Sequence, residues 1–156
     1  MQDRKDKFTI GQWMTPNPVT VSPHTSVRHA FMQMRQFGFR HLLVVENELL
    51  VGIITDRDLR RPDVSKDPDG WNEFYNLDDE CEVRFVMTSD LKTVTPGDPL
   101  EKALKLFLQH KFGALPVLDR NNHVIGILTT HDMLRAFEVT LKSLGENLRT
   151  KNILPY

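Results

Sequence analysis

Hydrophobic and polar positions along the chain switch between two periods, and the order of switching occurs twice. Val27, Ala30, Phe31 and Met34 fall at i, i+3, i+4 and i+7, one face of a helix, with Thr25 placed as its N-cap and Gly38 at its C-terminal stop. Two apolar runs follow, Leu42 to Val45 and Leu50 to Ile54, joined by a tight polar turn that predicts a hairpin. The hairpin leads into Thr55-Asp56-Arg57-Asp58 and a short helical pattern. Further along, Leu100, Ala103, Leu104, Phe107 and Leu108 form a second helical stripe. Asp98, Pro99 and Glu101 before and within it have the spacing of an N-cap, a proline at the first helical position and a reciprocal carboxylate, which predicts a capping box. Leu115 to Leu118 and Val124 to Leu128 predict a second hairpin, ending in Thr129-Thr130-His131-Asp132 and a longer helix marked by Met133, Leu134, Phe137, Leu141 and Leu144.

These two series are copies of one unit. Sliding the sequence from Met14-Thr15 to Met87-Thr88 also brings Thr20-Val21 onto Thr93-Val94, Pro23 onto Pro96, Ala30 onto Ala103, Phe39 onto Phe112, Leu42 onto Leu115 and Val44 onto Val117. With one extra residue in the turn Arg120-Asn121-Asn122, Gly52, Ile53, Thr55 and Asp58 meet Gly126, Ile127, Thr129 and Asp132. Adding an extended piece at Val19 to Val21, each copy reads β-α-β-β-α, and the fold class expected is α+β. A copy of about 60 residues is marginal as an independent core, so the two are expected to pack by pseudo-two-fold symmetry into one domain. The boundaries expected are 10–61 for the first repeat, 62–82 for a linker, 83–144 for the second repeat and 145–156 for a tail.

Composition narrows the function classes. With 156 residues, 40% hydrophobic and 26% charged, the chain has ordinary globular composition. Twenty Lys and Arg against twenty-one Asp and Glu leave a net charge of -1, without the basic footprint of a nucleic-acid binder. The longest apolar run, Leu49 to Ile54, is too short to span a bilayer, and the charged start Met1 to Lys7 leads into no secretory apolar core, so a cytoplasmic location is expected. A single cysteine, Cys81, allows no internal disulfide. The six histidines lack the close paired spacing of a metal site. No Gly-rich phosphate loop and no Gly-x-Ser-x-Gly elbow is present, which argues against a nucleotide hydrolase and leaves no catalytic residue to name.

The opening Met-Thr followed by Thr-Val-x-Pro, the hairpin, and the closing Gly-Ile-Ile-Thr-x-x-Asp-Leu at Gly52 to Leu59 and Gly-Ile-Leu-Thr-x-x-Asp-Met at Gly126 to Met133 resemble the cystathionine β-synthase (CBS) domain pair. The resemblance covers Ile10 to Leu144, and as a short chain the protein resembles the bacterial stand-alone CBS-pair proteins, some of them associated with acetoin utilisation. It implies a binding module for an adenosyl ligand (AMP, ADP, ATP or S-adenosylmethionine), with or without Mg, that forms a homodimer and signals to an effector protein. No obligatory cofactor, nucleic acid or membrane is implied. A purely structural dimeriser with empty clefts is the alternative.

A nucleotide site needs an acceptor for ribose hydroxyls, donors or positive charge for phosphates and an apolar slot for adenine. Asp58 and Asp132 supply the first; Thr55 and Thr129, with the helix-start amides, are placed to receive a phosphate. The resemblance implies composite clefts, each joining the start of one repeat to the Thr-x-x-Asp of the other. Cleft A would combine Pro18, Val19, Thr20, Phe39, Arg40 and His41 with Thr129, His131 and Asp132, and its basic groups favour a polyphosphate. Cleft B would combine Leu91, Lys92, Thr93, Phe112, Gly113 and Ala114 with Thr55, Arg57 and Asp58. Leu43 stands where the second copy has Pro116. Taken alone, Thr-x-x-Asp at a strand-to-helix junction reads as an N-cap with an acidic first turn; its twofold occurrence after Gly-Ile is what favours a ligand. Asp132→Ala is accordingly expected to abolish cleft A binding while leaving the fold intact.

The joint from Pro62 to Glu82 lies outside the repeat, with eight acidic residues against one Lys66. Trp71, Phe74 and Tyr75 at i, i+3 and i+4 suggest one helical turn that pins an acidic linker to the domain. Leu148 to Tyr156 is expected to be an extended end or part of a dimer contact.

Overall fold

Helix α1 (Ile10–Trp13), strand β1 (Thr15–Pro16), strand β2 (Thr20–Val21), helix α2 (Val27–Phe37), strands β3 (His41–Glu46) and β4 (Leu49–Thr55) and helix α3 (Asp56–Leu59) form the first half of the computed structural model. Helix α4 (Leu100–His110), strands β5 (Ala114–Leu118) and β6 (Val124–Thr129) and helix α5 (Thr130–Thr150) form the second. The structure describes residues 8–59 and 80–150, with side chains described as far as Glu146. The aromatic group of the linker, Trp71, Phe74 and Tyr75, lies outside the described residues, as do 151–156.

The chain divides into two compact units that cut across the sequence repeats: one holds Asn17–Lys92 with Arg120–Ile125, the other Met1–Pro16, Thr93–Asp119 and Gly126–Tyr156. In the unit built on the first repeat, β2 runs parallel to β3 (Val21 opposite Val44), and β3 runs antiparallel to β4 (His41 opposite Thr55). Asn47 and Glu48, at φ 49° and 66°, turn the hairpin between them. Positive φ at both central residues matches the right-handed twist of the flanking strands. Val21, Val27, Ala30, Met34, Leu42, Val44, Ile54, Leu59 and Val83 make the core of this unit.

The other unit repeats this plan. Val94 bridges Val117 in parallel, as Val21 does Val44. Leu100, Ala103, Phe107, Leu115, Val117 and Leu128 are buried at the positions of Val27, Ala30, Met34, Leu42, Val44 and Ile54. Pro116 is fully buried at the place where the first repeat has the equally buried Leu43.

Each unit borrows the lead-in of the opposite repeat. Thr15 of β1 pairs with Ile127 of β6, and Ile10 and Gly11 donate their backbone N–H groups to the carbonyls of Asp98 and Pro96. In the first-repeat unit, Thr88 pairs with Ile53, and Val83 donates to the Thr25 carbonyl. Ile10 and Val83, equivalent in the duplication, are both fully buried. The shared Gly52 and Gly126 find their reason here. A Cβ on Gly52 would stand 2.5 Å from Met87 Sδ, and one on Gly126 would stand 2.5 Å from Met14 Sδ. The repeated Met-Thr and the repeated Gly-Ile are therefore two halves of one contact.

Helix starts differ from the sequence expectation. The cap of α2 is Ser26, not Thr25, and its hydroxyl accepts from the His29 N–H. At α4 the cap position falls on Pro99, and the capping box of Asp98 and Glu101 does not form. Asp98 instead accepts from the Thr95 N–H at 2.8 Å and pairs with Lys102 at 2.8 Å. Burial is the largest single influence on this carboxyl and opposes its ionisation, but Lys102 and Thr95 together outweigh it and hold Asp98 below the usual carboxylate range. Helix α5 continues to Thr150, so the extended end expected from Leu148 starts no earlier than its close. Its stripe is also turned outward: Ala136 faces the core, whereas Leu134, Phe137, Leu141 and Leu144 are exposed.

Candidate functional site

The capping box expected at α4 is found at the two Thr-x-x-Asp turns. Thr55 and Thr129 end β4 and β6, and each carries a hydroxyl at the cap of the following helix. The Thr55 N–H and hydroxyl both donate to Asp58 Oδ2, at 2.9 and 2.8 Å, while the Asp58 N–H donates back to the Thr55 hydroxyl at 3.2 Å. Thr129 and Asp132 repeat this at 2.8, 2.7 and 3.3 Å. Such reciprocal bonding fixes both χ1 angles and satisfies an otherwise unpaired N–H of the helix start.

This finding corrects one expectation. Asp132 is only 5% exposed, the one buried charged residue among those described, so it does not simply sit at a helix edge. Its Oδ1 also lies 3.8 Å from the Arg135 guanidinium. Replacing Asp132 by alanine removes a cap as well as any ligand contact, and the fold does not stay untouched.

Within the first-repeat unit, the residues that start β3 sit beside this turn. The Asp56 N–H donates to the Arg40 carbonyl at 3.0 Å. His41 lies directly opposite Thr55 in the antiparallel pair, so the two side chains project from the same face. Burial pushes the His41 imidazole below its ordinary value; the Asp56 and Asp58 carboxylates act against that, and Arg40 adds to it. The structure therefore gathers Arg40, His41, Thr55 and Asp58, with Arg57 exposed on the same short helix. In the second-repeat unit the Thr130 N–H donates to the Gly113 carbonyl at 3.1 Å, the same bond in the same place. That unit gathers Gly113, Ala114, Thr129 and Asp132, with His131 exposed.

The remaining predicted residues fall as follows. Phe39 stacks on Phe37 with ring centroids 5.7 Å apart, and Phe112 on His110 at 5.0 Å, both across a left-handed helix end at Gly38 and Lys111. These rings lean on the helix they follow. Pro18 and Thr20 line an open groove of about 390 Å³ with Asn17, Val45, Glu48, His123 and Val124, at the hairpin-turn end of β3, the end away from His41. Val19 packs against the first-repeat core. Leu91 and Lys92 belong to the first-repeat unit, and Thr93 to the second. Sequence reading missed the proximity of Asp56 to His41. The signal available was the strand register, which places the first residue of β3 opposite the last of β4.

Among the described residues there is no group of three or more His, Cys, Asp or Glu that could hold a metal ion. No described helix is long and apolar enough to cross a membrane.

Comparison with known proteins agrees with this architecture. The family model for the CBS domain matches residues 10–64 and 82–139. The CBS domain-containing protein YhcV of Bacillus subtilis is 32% identical over 125 residues, which are 80% of this chain and 82% of that protein. Inosine-5'-monophosphate dehydrogenase of Aquifex aeolicus is 30% identical over 78% of this chain but only 23% of its own length. The chain thus spans most of some relatives and a minor part of others. A crystal structure of CBSX2 in complex with AMP is 34% identical, with a TM-score of 0.69, covering 83% of this chain and 95% of that one.

Proposed function

The chain belongs to the CBS-domain family, and on that premise we propose that it is a regulatory module that binds an adenine nucleotide at its Thr-x-x-Asp turns and passes the bound state to a partner protein. The observation that carries this reading is the pair of reciprocally bonded turns, each held by a backbone bond to the residue just before the neighbouring strand, Arg40 or Gly113. A carboxylate accepts up to about four hydrogen bonds, so one group can serve both as cap and as acceptor for a sugar diol. CBSX2, with the same architecture at 34% identity, has been crystallised with AMP, which supports an adenosine monophosphate as the first ligand to test. No catalytic step is proposed; the module signals by a change of conformation or of dimer packing.

The dimer is part of the proposal. Leu134, Phe137, Leu141 and Leu144 lie at spacings of three, four and three on α5, the seam spacing of paired helices, and all are at least half exposed. Leu104 and Leu108 are also exposed on α4, which packs against α5 in the same unit. Exposed apolar side chains gathered on one helix face are characteristic of contact surfaces.

The deciding experiment is a thermal-shift and calorimetric titration of nucleotide-free protein with AMP, ADP, ATP (with and without Mg²⁺) and S-adenosylmethionine. A true ligand raises Tm with concentration by mass action. No shift with any of the four, or phosphate release from ATP that disappears in Asp58→Asn or Asp132→Asn, would overturn the reading.

A further inference from the structure

We propose that the outward face of α2 is a docking surface whose occupant is the chain's own acidic segment, residues 60–79, seated through its aromatic side chains; this holds with or without a ligand at the Thr-x-x-Asp turns. Equivalent helices of the two repeats differ in a way the fold itself does not require. On α4 the outward positions are Glu101, Lys105 and Leu108, and Lys105 pairs with Glu101 at 2.9 Å. Lys102 pairs likewise with Asp98 at 2.8 Å. Ion pairs one turn apart are the ordinary dress of a solvated helix face. The duplication puts Arg28, Met32 and Arg35 at the positions of Glu101, Lys105 and Leu108. No acidic residue occurs from Val27 to Val45, so α2 offers no carboxylate of its own. Met32 is 58% exposed, and Phe37, where α4 has His110, is 53% exposed and stacks on Phe39. Basic groups beside exposed apolar side chains make a surface complementary to an acidic segment that carries aromatics.

Residues 60–79 lie outside the described residues, but the chain on either side of them borders α2. Helix α3, which ends at Leu59, packs against α2, and the Asp56 N–H donates to the carbonyl of Arg40, two residues past the helix end at Gly38. At the opposite end, the Val27 N–H that opens α2 donates to the Cys81 carbonyl at 2.8 Å, and Ser26 bridges Glu82. The intervening chain therefore leaves at the C-terminal end of α2 and returns at its N-terminal end. An 11-residue helix is about 16 Å long, and the connecting residues can extend to roughly 65 Å, so the direct route follows α2 with slack for a helical turn. From Pro62 to Asp79 this segment has six acidic residues against Lys66, with Trp71, Phe74 and Tyr75 at i, i+3 and i+4. In the second repeat nothing corresponds to 60–79: the chain runs from Thr130 to Thr150 as one helix, and the equivalent face of α4 carries its own ion pairs.

The chain has two tryptophans, so Trp13→Phe leaves Trp71 as the single indole of the full chain. Its emission and its quenching by acrylamide are read beside circular dichroism, which reports whether each variant is folded. In that parent chain, emission is expected to be blue-shifted from that of a solvated indole, and quenching several-fold weaker. Met32→Ser with Arg35→Glu should bring both to the solvated values without loss of helix signal. Met32→Gln with Arg35→Gln, a milder surface change, should lose part of the protection. The equivalent change on α4, Lys105→Ser with Leu108→Ser, should leave Trp71 unaltered. A solvated Trp71 in the parent chain, or protection that survives both α2 variants, overturns the assignment. Protection that fades on dilution of the protein also overturns it, since the occupant would then be the segment of a second copy. None of these readings involves a nucleotide, so their failure is distinct from a failed ligand titration.

Discussion

At the scale of single residues, Asp58 and Asp132 hold two roles that conflict in mutagenesis. Each is the third helical residue of a reciprocal cap, and removing such a cap costs about 0.5–2 kcal/mol. Asp132→Ala is expected to lower thermal stability by roughly 1 kcal/mol, more than Asp132→Asn, whose amide oxygen can still accept from the Thr129 N–H. Denaturant midpoints of the two variants check this, and identical midpoints would remove the cap from the argument. His41 gives a pH signature. Its pKa in the folded chain lies below its ordinary value of 6.5, so the unfolded chain binds that proton more readily. Stability from this group is present above about 6.5 and lost as pH falls through that value towards the folded pKa. His41→Gln should flatten the decline in Tm between neutral and mildly acidic pH. The carboxyls lowered by their lysine partners, Asp98, Glu101 and Glu138, act only at more acidic pH and leave this window clear.

At the scale of elements, the exchange of lead-in segments explains residues that a linear reading treats as separate motifs. Met14 lies against Gly126 on β6, and Met87 against Gly52 on β4. Gly126→Ala is expected to destabilise by about 1–3 kcal/mol, because the new methyl meets both a methionine and the Thr15 carbonyl, at 3.3 Å. Met14→Ala in the same chain should recover part of that loss by opening space. A double-mutant cycle measures the coupling, and strictly additive losses would contradict the contact. Both helix ends before the hairpins are left-handed, at φ 72° for Gly38 and 55° for Lys111. Glycine adopts that conformation without penalty and lysine does not. Lys111→Gly is therefore expected to raise Tm slightly, as seen by calorimetry.

At the scale of the whole molecule, each compact unit depends on a segment far away in sequence. The second-repeat unit takes its fully buried Ile10 and strand β1 from the start of the chain. Ile10→Ala should cost about 2–5 kcal/mol, as for other buried large-to-small changes, and a chain beginning at residue 83 should lack cooperative unfolding. Cooperative folding of that fragment would show the lead-in to be dispensable. The outward stripe of α5 belongs to this scale too. If the proposed dimer forms through this stripe, Phe137→Glu with Leu141→Glu leaves the chain folded and shifts its mass in light scattering from that of a dimer to that of a monomer, since both side chains are more than half exposed and add little to the core.

The linear order of residues already determined the duplication, the β-α-β-β-α plan of each copy and the two Thr-x-x-Asp turns, because hydrophobic period and local capping chemistry are set by neighbours within a few positions. The same reading shifted two caps by one residue, since only the path of the preceding turn decides whether Thr25 or Ser26, and Asp98 or Pro99, takes the cap position. It marked the stripe of α5 without assigning it to core or surface, because periodicity records an apolar side without naming what covers it. Only the tertiary structure decided that Ile10 and Met14 complete the second-repeat unit, that Val83 and Met87 complete the first, and that Arg40 and His41 stand beside Asp58. Those contacts join residues beyond any local window, and their energy comes from burial and strand register rather than from neighbours in sequence.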